Sequence, residues 1–182
     1  MTAAWLPCHP EEVRHVYLLR HAKSSWDDPG LPDRDRPLAP RGVRDANRMA
    51  GHLRDVNVAP ELVICSSARR TTDTLEPLRP ALPGATILIE DSVYAASQSQ
   101  LLERLRRIPD EFGSAMLIGH NPGLQDLAVS LAGQGDADLR QRLESKFPTA
   151  ALTTLAIGDG GWSSLEVGAA DLVGFVTPKE LA

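Results

Sequence analysis

"VYLLRHAKSSW", residues 16–26, is the stretch on which the reading of this chain turns. Four apolar residues, Val16 to Leu19, run directly into Arg20 and His21. A short apolar run that stops so abruptly reads as a buried strand, expected over 13–19, whose end delivers a cation and an imidazole.

Working outward, short apolar runs alternate with helix-like stretches, the pattern of an α/β layer fold. "LVIC" at 62–65, "TILIE" at 86–90 and "AMLIG" at 115–119 read as further strands. Between them lie expected helices over 41–54 and 67–76, the latter ended or bent by Pro77. "SQSQLLERLRRI" places Leu101, Leu102, Leu105 and Ile108 at spacings of three and four, an amphipathic helix capped by Ser97 or Ser99. Pro122 sits near the start of another helix, and a short one is expected near 137–145. At the end, "ALTTLAI", "WSSLEVG" and "LVGFV" suggest a hairpin plus an edge strand.

The chain has 182 residues, of which 42% are hydrophobic and 24% charged, an ordinary globular composition. One domain is expected over 13–182, preceded by a loose tail at 1–12. A formal net charge of −5 gives no basic surplus of the kind that nucleic-acid or anionic-membrane binding needs, so any anion site must be local. The two cysteines, Cys8 and Cys65, form no CxxC, which argues against a disulfide framework or structural zinc and for a reduced, cytoplasmic setting. The first residues lack a secretory signal pattern, and no apolar run is long enough to span a bilayer.

Three polar clusters follow three strands: Arg20-His21, "CSSARRTTDT" after the second, and "GHNPG" with His120 after the fourth. In an open α/β sheet ligands bind outside the carboxyl ends of the strands, so these groups can meet in one crevice. Each alone has an ordinary explanation: a satisfied histidine, a solvated helix face, turn chemistry. Together they supply guanidinium and imidazole groups suited to phosphate. The 15-residue loop "SSWDDPGLPDRDRPL", residues 24–38, is long enough to have a role, and its acidic residues leave a divalent-ion loop as an alternative reading.

"LLRHAKS" with "SSARRTTDT" and "GHNPG" resembles the histidine phosphatase superfamily. "RHAKSSW", "DRPLAPRG", "VY" and "FPTAAL" are similar to its short SixA-like phosphohistidine phosphatase branch. The resemblance implies a three-layer α/β sandwich, phosphoglycerate-mutase-like, with a mostly parallel central sheet flanked by helices. It implies His21 as phosphoryl acceptor, and Arg20, Arg70 and His120 as catalytic and substrate-binding groups. Arg70 is preferred to Arg69 because Thr74 stands four residues later, as the family pattern has it. Ala22 replaces the glycine that many members carry. No glutamate aligns with the family's general acid in "EDSVY"; Asp91 is the candidate, with a loop-capping role as the alternative. Lys23 and Arg36 are candidates for contacts beyond the phosphoryl group.

The expected activity is a metal-independent phosphatase, without cofactor, that works through a covalent phosphohistidine. Its partner is a phosphorylated protein or a small phosphorylated substrate; nucleic acid and membrane are not expected, and no oligomeric state is assigned. Phosphohistidine leads because an imidazole leaves readily without a strong proton donor. A small-molecule phosphomonoesterase and a non-catalytic phosphate-binding module are the alternatives, and a phosphoglycerate mutase is disfavoured by the short chain.

Overall fold

In β1, Arg14–Arg20, the side chains alternate between two buried faces, Val16 and Leu18 to one and Tyr17 and Leu19 to the other. Strands covered on both sides read as unbroken apolar runs, the habit of parallel sheets. The same holds for β2, Leu62–Ser66, and β4, Ser114–Gly119. The computed structural model describes residues 13–158 and 160–182, so the expected tail, with Cys8, lies outside the described residues.

Seven strands form one sheet in the order β3-β2-β4-β1-β6-β7-β5, with β3 at Thr86–Glu90, β5 at Ala132–Gly135, β6 at Leu152–Ile157 and β7 at Ala170–Val176. Only β6 runs against its neighbours. On one face Val16, Leu18, Ile64 and Leu117 pack with α3, Gln98–Arg106, α4, Gly123–Leu131, and α5, Ala137–Ser145. On the other, Leu19, Val63, Cys65 and Ile118 pack with Met49 and Leu53 of α1, Pro40–Asp55, and Leu75 of α2, Arg69–Leu75. The result is the expected three-layer α/β sandwich with a mostly parallel sheet. Truncating a fully buried leucine such as Leu18 to alanine would cost about 2–5 kcal/mol.

Most local expectations hold. Ser97 caps α3 through a capping box with Gln100, and α2 gives way to a 3-10 turn, Glu76–Ala81, at Pro77. The C-terminal third differs. "WSSLEVG" is not a strand: Trp162–Ser164 forms a 3-10 turn whose buried indole N–H donates to the Phe112 carbonyl at 2.7 Å. "LVGFV" is not an edge strand, because β5 pairs with β7 and becomes the border. Its sequence, "AGQG", has no apolar alternation and two glycines, which weaken strand propensity. No helix among the described residues is long and apolar enough to cross a membrane.

Candidate active site

The register of β1 and β4 sets Arg20 opposite Gly119, so the next residue on each strand is a histidine. The His21 N–H donates to the Gly119 carbonyl at 3.1 Å, and the two imidazoles lie with centroids 5.1 Å apart, tilted by 52°. On the far side of β4, β2 ends at Ser66, whose hydroxyl lies 2.8 Å from His120 Nε2. One short turn later α2 carries Arg70. Thr74 links this helix to the first strand end: its hydroxyl donates to the Arg70 carbonyl at 2.6 Å and accepts from the Ala22 N–H at 2.9 Å. Two close approaches need glycine. A Cβ on Gly42 would fall 2.1 Å from the Lys23 carbonyl oxygen, and one on Gly123, 2.0 Å from that of Ala96.

Arg20, His21, Lys23, Asp33, Arg36 and Arg70 border a cavity of about 260 Å³ at this carboxyl edge of the sheet. His21 and His120 are only 8% and 7% exposed. Burial drives the pKa of His21 down to about 3, opposed by its bond to the Ala22 carbonyl and assisted by His120, Arg70 and Arg20. Burial likewise takes His120 to about 4, with Arg70 and Arg20 assisting and Asp33 opposing. Both are therefore neutral at pH 7. The Nδ1 of His21 lies 2.7 Å from the Ala22 carbonyl, which can only accept, so Nδ1 holds the proton and Nε2 the lone pair.

Arg20 donates to the Phe147 carbonyl at 2.7 Å, and burial lowers its pKa from a range so high that it stays charged. Arg70 donates to the Asp33 carbonyl at 2.6 Å and to its carboxylate at 2.9 Å. The Tyr94 hydroxyl donates to that carboxylate too, at 2.9 Å, while its ring stands edge-on to His120 with centroids 5.5 Å apart. Burial acts to raise the Asp33 pKa, but Tyr94, Arg70 and Arg36 outweigh it and hold the carboxyl below its ordinary value.

Of the residues singled out from sequence, Arg20, His21, Arg70 and His120 come together. Lys23 is exposed on the cavity wall. Arg36 borders the cavity, but its N–H groups bond Ser24, Ser25 and Asp33, and it stacks on Trp26 with 3.2 Å to the ring centroid. It shapes the 24–38 loop. Arg69 faces outward and pairs with Asp73 at 3.7 Å. Asp91 does not join the group: β3 is the border strand beyond β2, and the Asp91 carboxylate is exposed and paired with Arg34. Asp33 and Tyr94 were not foreseen. Asp33 has no local signal in its alternating "DRDR" run, and Tyr94 stands in the "VY" of the resemblance, which assigns no role to it. Asp33 turns to arginines, and among the described residues no group of three or more His, Cys, Asp or Glu is placed to hold a metal ion.

Fold and site together define a class: a doubly covered α/β sheet with a pocket at its carboxyl edge, where guanidinium groups stand beside a neutral imidazole. A family model described as the histidine phosphatase superfamily (branch 1) matches residues 16–93. The uncharacterised protein Rv1276c of Mycobacterium tuberculosis is 37% identical over 163 residues, which span 88% of this chain and 100% of that protein. A crystal structure from Agrobacterium tumefaciens, assigned as the phosphohistidine phosphatase SixA, is 32% identical, with a TM-score of 0.78 over 91% of this chain and 98% of that one. A structure from Nakamurella multipartitia, assigned likewise, is 26% identical, with a TM-score of 0.80 over 91% and 96%. The chain belongs to the histidine phosphatase superfamily, in its SixA-like branch, and is a phosphatase.

Proposed function

We propose that this phosphatase removes the phosphoryl group from phosphohistidine in proteins, with His21 as the nucleophile and without a metal ion. The observation that carries the reading is the bond from His21 Nδ1–H to the Ala22 carbonyl, which leaves the Nε2 lone pair free beside Arg20, Arg70 and His120. Nε2 forms a bond to phosphorus as the bond from phosphorus to the substrate imidazole breaks, and that imidazole takes a proton from solvent water and leaves as the neutral base; the proton returns to solvent in the hydrolysis step. Water then attacks the phosphorylated His21, the bond from Nε2 to phosphorus breaks, and inorganic phosphate departs with His21 again neutral. Arg20 and Arg70 hold the phosphoryl oxygens as charge spreads over them. The Ser66 hydroxyl lies 2.8 Å from His120 Nε2 and fixes the ring beside His21, while His120 Nδ1 is buried without a protein partner.

The substrate class is supported by the acids present. Among the described residues bordering the cavity Asp33 is the sole carboxyl group, and it is ionised and bound by Arg70 and Tyr94. An alkoxide would leave poorly from such a site, whereas a phosphorylated imidazole needs no strong acid. The SixA relatives are named for the same substrate class.

Trapping by quench into alkaline detergent in the presence of chelator tests the reading. Labelled donor should give a phosphoenzyme stable to base and labile to acid with the native protein, and none with His21→Ala. Turnover of phosphohistidine peptides should exceed that of a phosphomonoester panel. Hydrolysis by His21→Ala at the parental rate would overturn the nucleophile, and preference for a monoester would overturn the substrate class.

A further inference from the structure

A second cavity of about 790 Å³ adjoins the first, and Arg20, Lys23 and Thr149 border both. Among the described residues its walls hold a concentration of charge that the net value of −5 conceals: eight of the chain's nineteen lysines and arginines, and a single acid, Asp45. Arg41, Arg44 and Arg48 stand at spacings of three and four on one face of α1, a strip about 10 Å long. Arg142, Lys146 and Lys179 stand across from them. Asp45 is 3% exposed and bonds Arg41 at 3.3 Å and Arg48 at 3.4 Å, so it positions two guanidinium groups rather than neutralising the opening. Among the described residues no carboxylate lies within ion-pair distance of Lys23, Arg44, Lys146 or Lys179.

We propose that this groove docks an acidic polypeptide segment next to the phosphorylated histidine of the substrate protein, an inference that rests on the substrate reading above. The cations form a strip instead of converging on one point, which suits a chain of anions better than one further phosphate. Acidic side chains recur about every 5.4 Å along one helix face, or about every 6.6 Å along one strand face, and the arginine strip repeats at a similar interval. A single-stranded nucleic acid would need an open ring for base stacking. The groove's aromatic, Phe175, is 4% exposed, packs on Phe147 at 5.6 Å and is covered by Arg142 at 5.5 Å.

The test uses two phosphohistidine peptides with glutamate or glutamine flanks, an unphosphorylated glutamate peptide, an oligonucleotide of equal charge, and p-nitrophenyl phosphate. At low ionic strength the glutamate-flanked substrate should show a kcat/KM about tenfold above the glutamine one, a gap that closes near about 0.5 M salt. The unphosphorylated glutamate peptide should inhibit turnover of p-nitrophenyl phosphate. The double variant Arg44→Glu/Lys179→Glu should lose both effects while turning over p-nitrophenyl phosphate within about twofold of the native rate, which also shows that it folds. Absence of inhibition by the peptide, its persistence in the double variant, or stronger inhibition by the oligonucleotide would each overturn the docking site. Inhibition without any turnover of phosphohistidine would overturn the substrate reading and leave the docking site standing.

Discussion

Arg70 and Asp33 are joined twice, through the Asp33 carbonyl at 2.6 Å and its carboxylate at 2.9 Å, although they lie thirty-seven residues apart. The 24–38 loop therefore reaches over the end of β2 and sets the direction of a guanidinium that borders the candidate phosphoryl pocket. The Tyr94 hydroxyl donates to the same carboxylate oxygen and its ring packs on His120, so one acid couples three of the strand ends.

Loss of that acid should misdirect Arg70 without removing it. Asp33→Ala is expected to lower kcat/KM for p-nitrophenyl phosphate about tenfold, the effect of one charged hydrogen bond, with the fold intact by circular dichroism. Unchanged kinetics would reduce Asp33 to a loop residue.

The acid stability of the protein should carry the mark of its two neutral histidines. Their folded pKa values, about 3 for His21 and about 4 for His120, lie below the ordinary 6.5. The unfolded chain then binds more protons in that window, so stability is full above about pH 6.5 and falls as the pH drops toward 4 and then 3. Urea unfolding should show a shallower acid slope for His21→Asn/His120→Asn than for the native protein; equal slopes would contradict the shifts. By the same values, kcat/KM corrected for substrate ionisation should show no acid limb near pH 6.5.

Asp91 is expected to be dispensable. Its carboxylate is exposed and bound to Arg34, and Ser67 and then Arg34 keep its pKa below the ordinary value, so it is a poor proton donor. Asp91→Asn should alter p-nitrophenyl phosphate turnover by less than about threefold. A loss of about a hundredfold or more, the scale of general acid catalysis, would restore it as the acid.

Gly42 should tolerate no side chain. Its Cβ would lie 2.1 Å from a backbone oxygen at Lys23, in the segment that follows His21. Gly42→Ala is expected to lower stability by about 1–3 kcal/mol or more, read from thermal unfolding. Gly158→Ala, which meets nothing within 4 Å, should melt close to the native protein, and similar melting of both variants would show that the helix can shift at no cost.

The apolar runs at 16–19, 62–65 and 115–119, the helical spacing of Leu101, Leu102 and Leu105, and the Arg-His, "SARRTTDT" and "GHNPG" clusters were legible in the sequence because each depends on a few neighbouring residues. That the clusters stand near one another was already implicit in their position after neighbouring strands. The identity of Arg70's partner, the seating of Tyr94 against His120, the border strand "AGQG" and the basic groove between α1 and α5 were decided only by the tertiary structure. Each joins segments far apart in the chain, and what brings them together is strand register and helix packing. Residue type alone does not encode either one. Asp33 shows the difference: in the chain it is one charge in an alternating run, and folding places it against Arg70 and Tyr94.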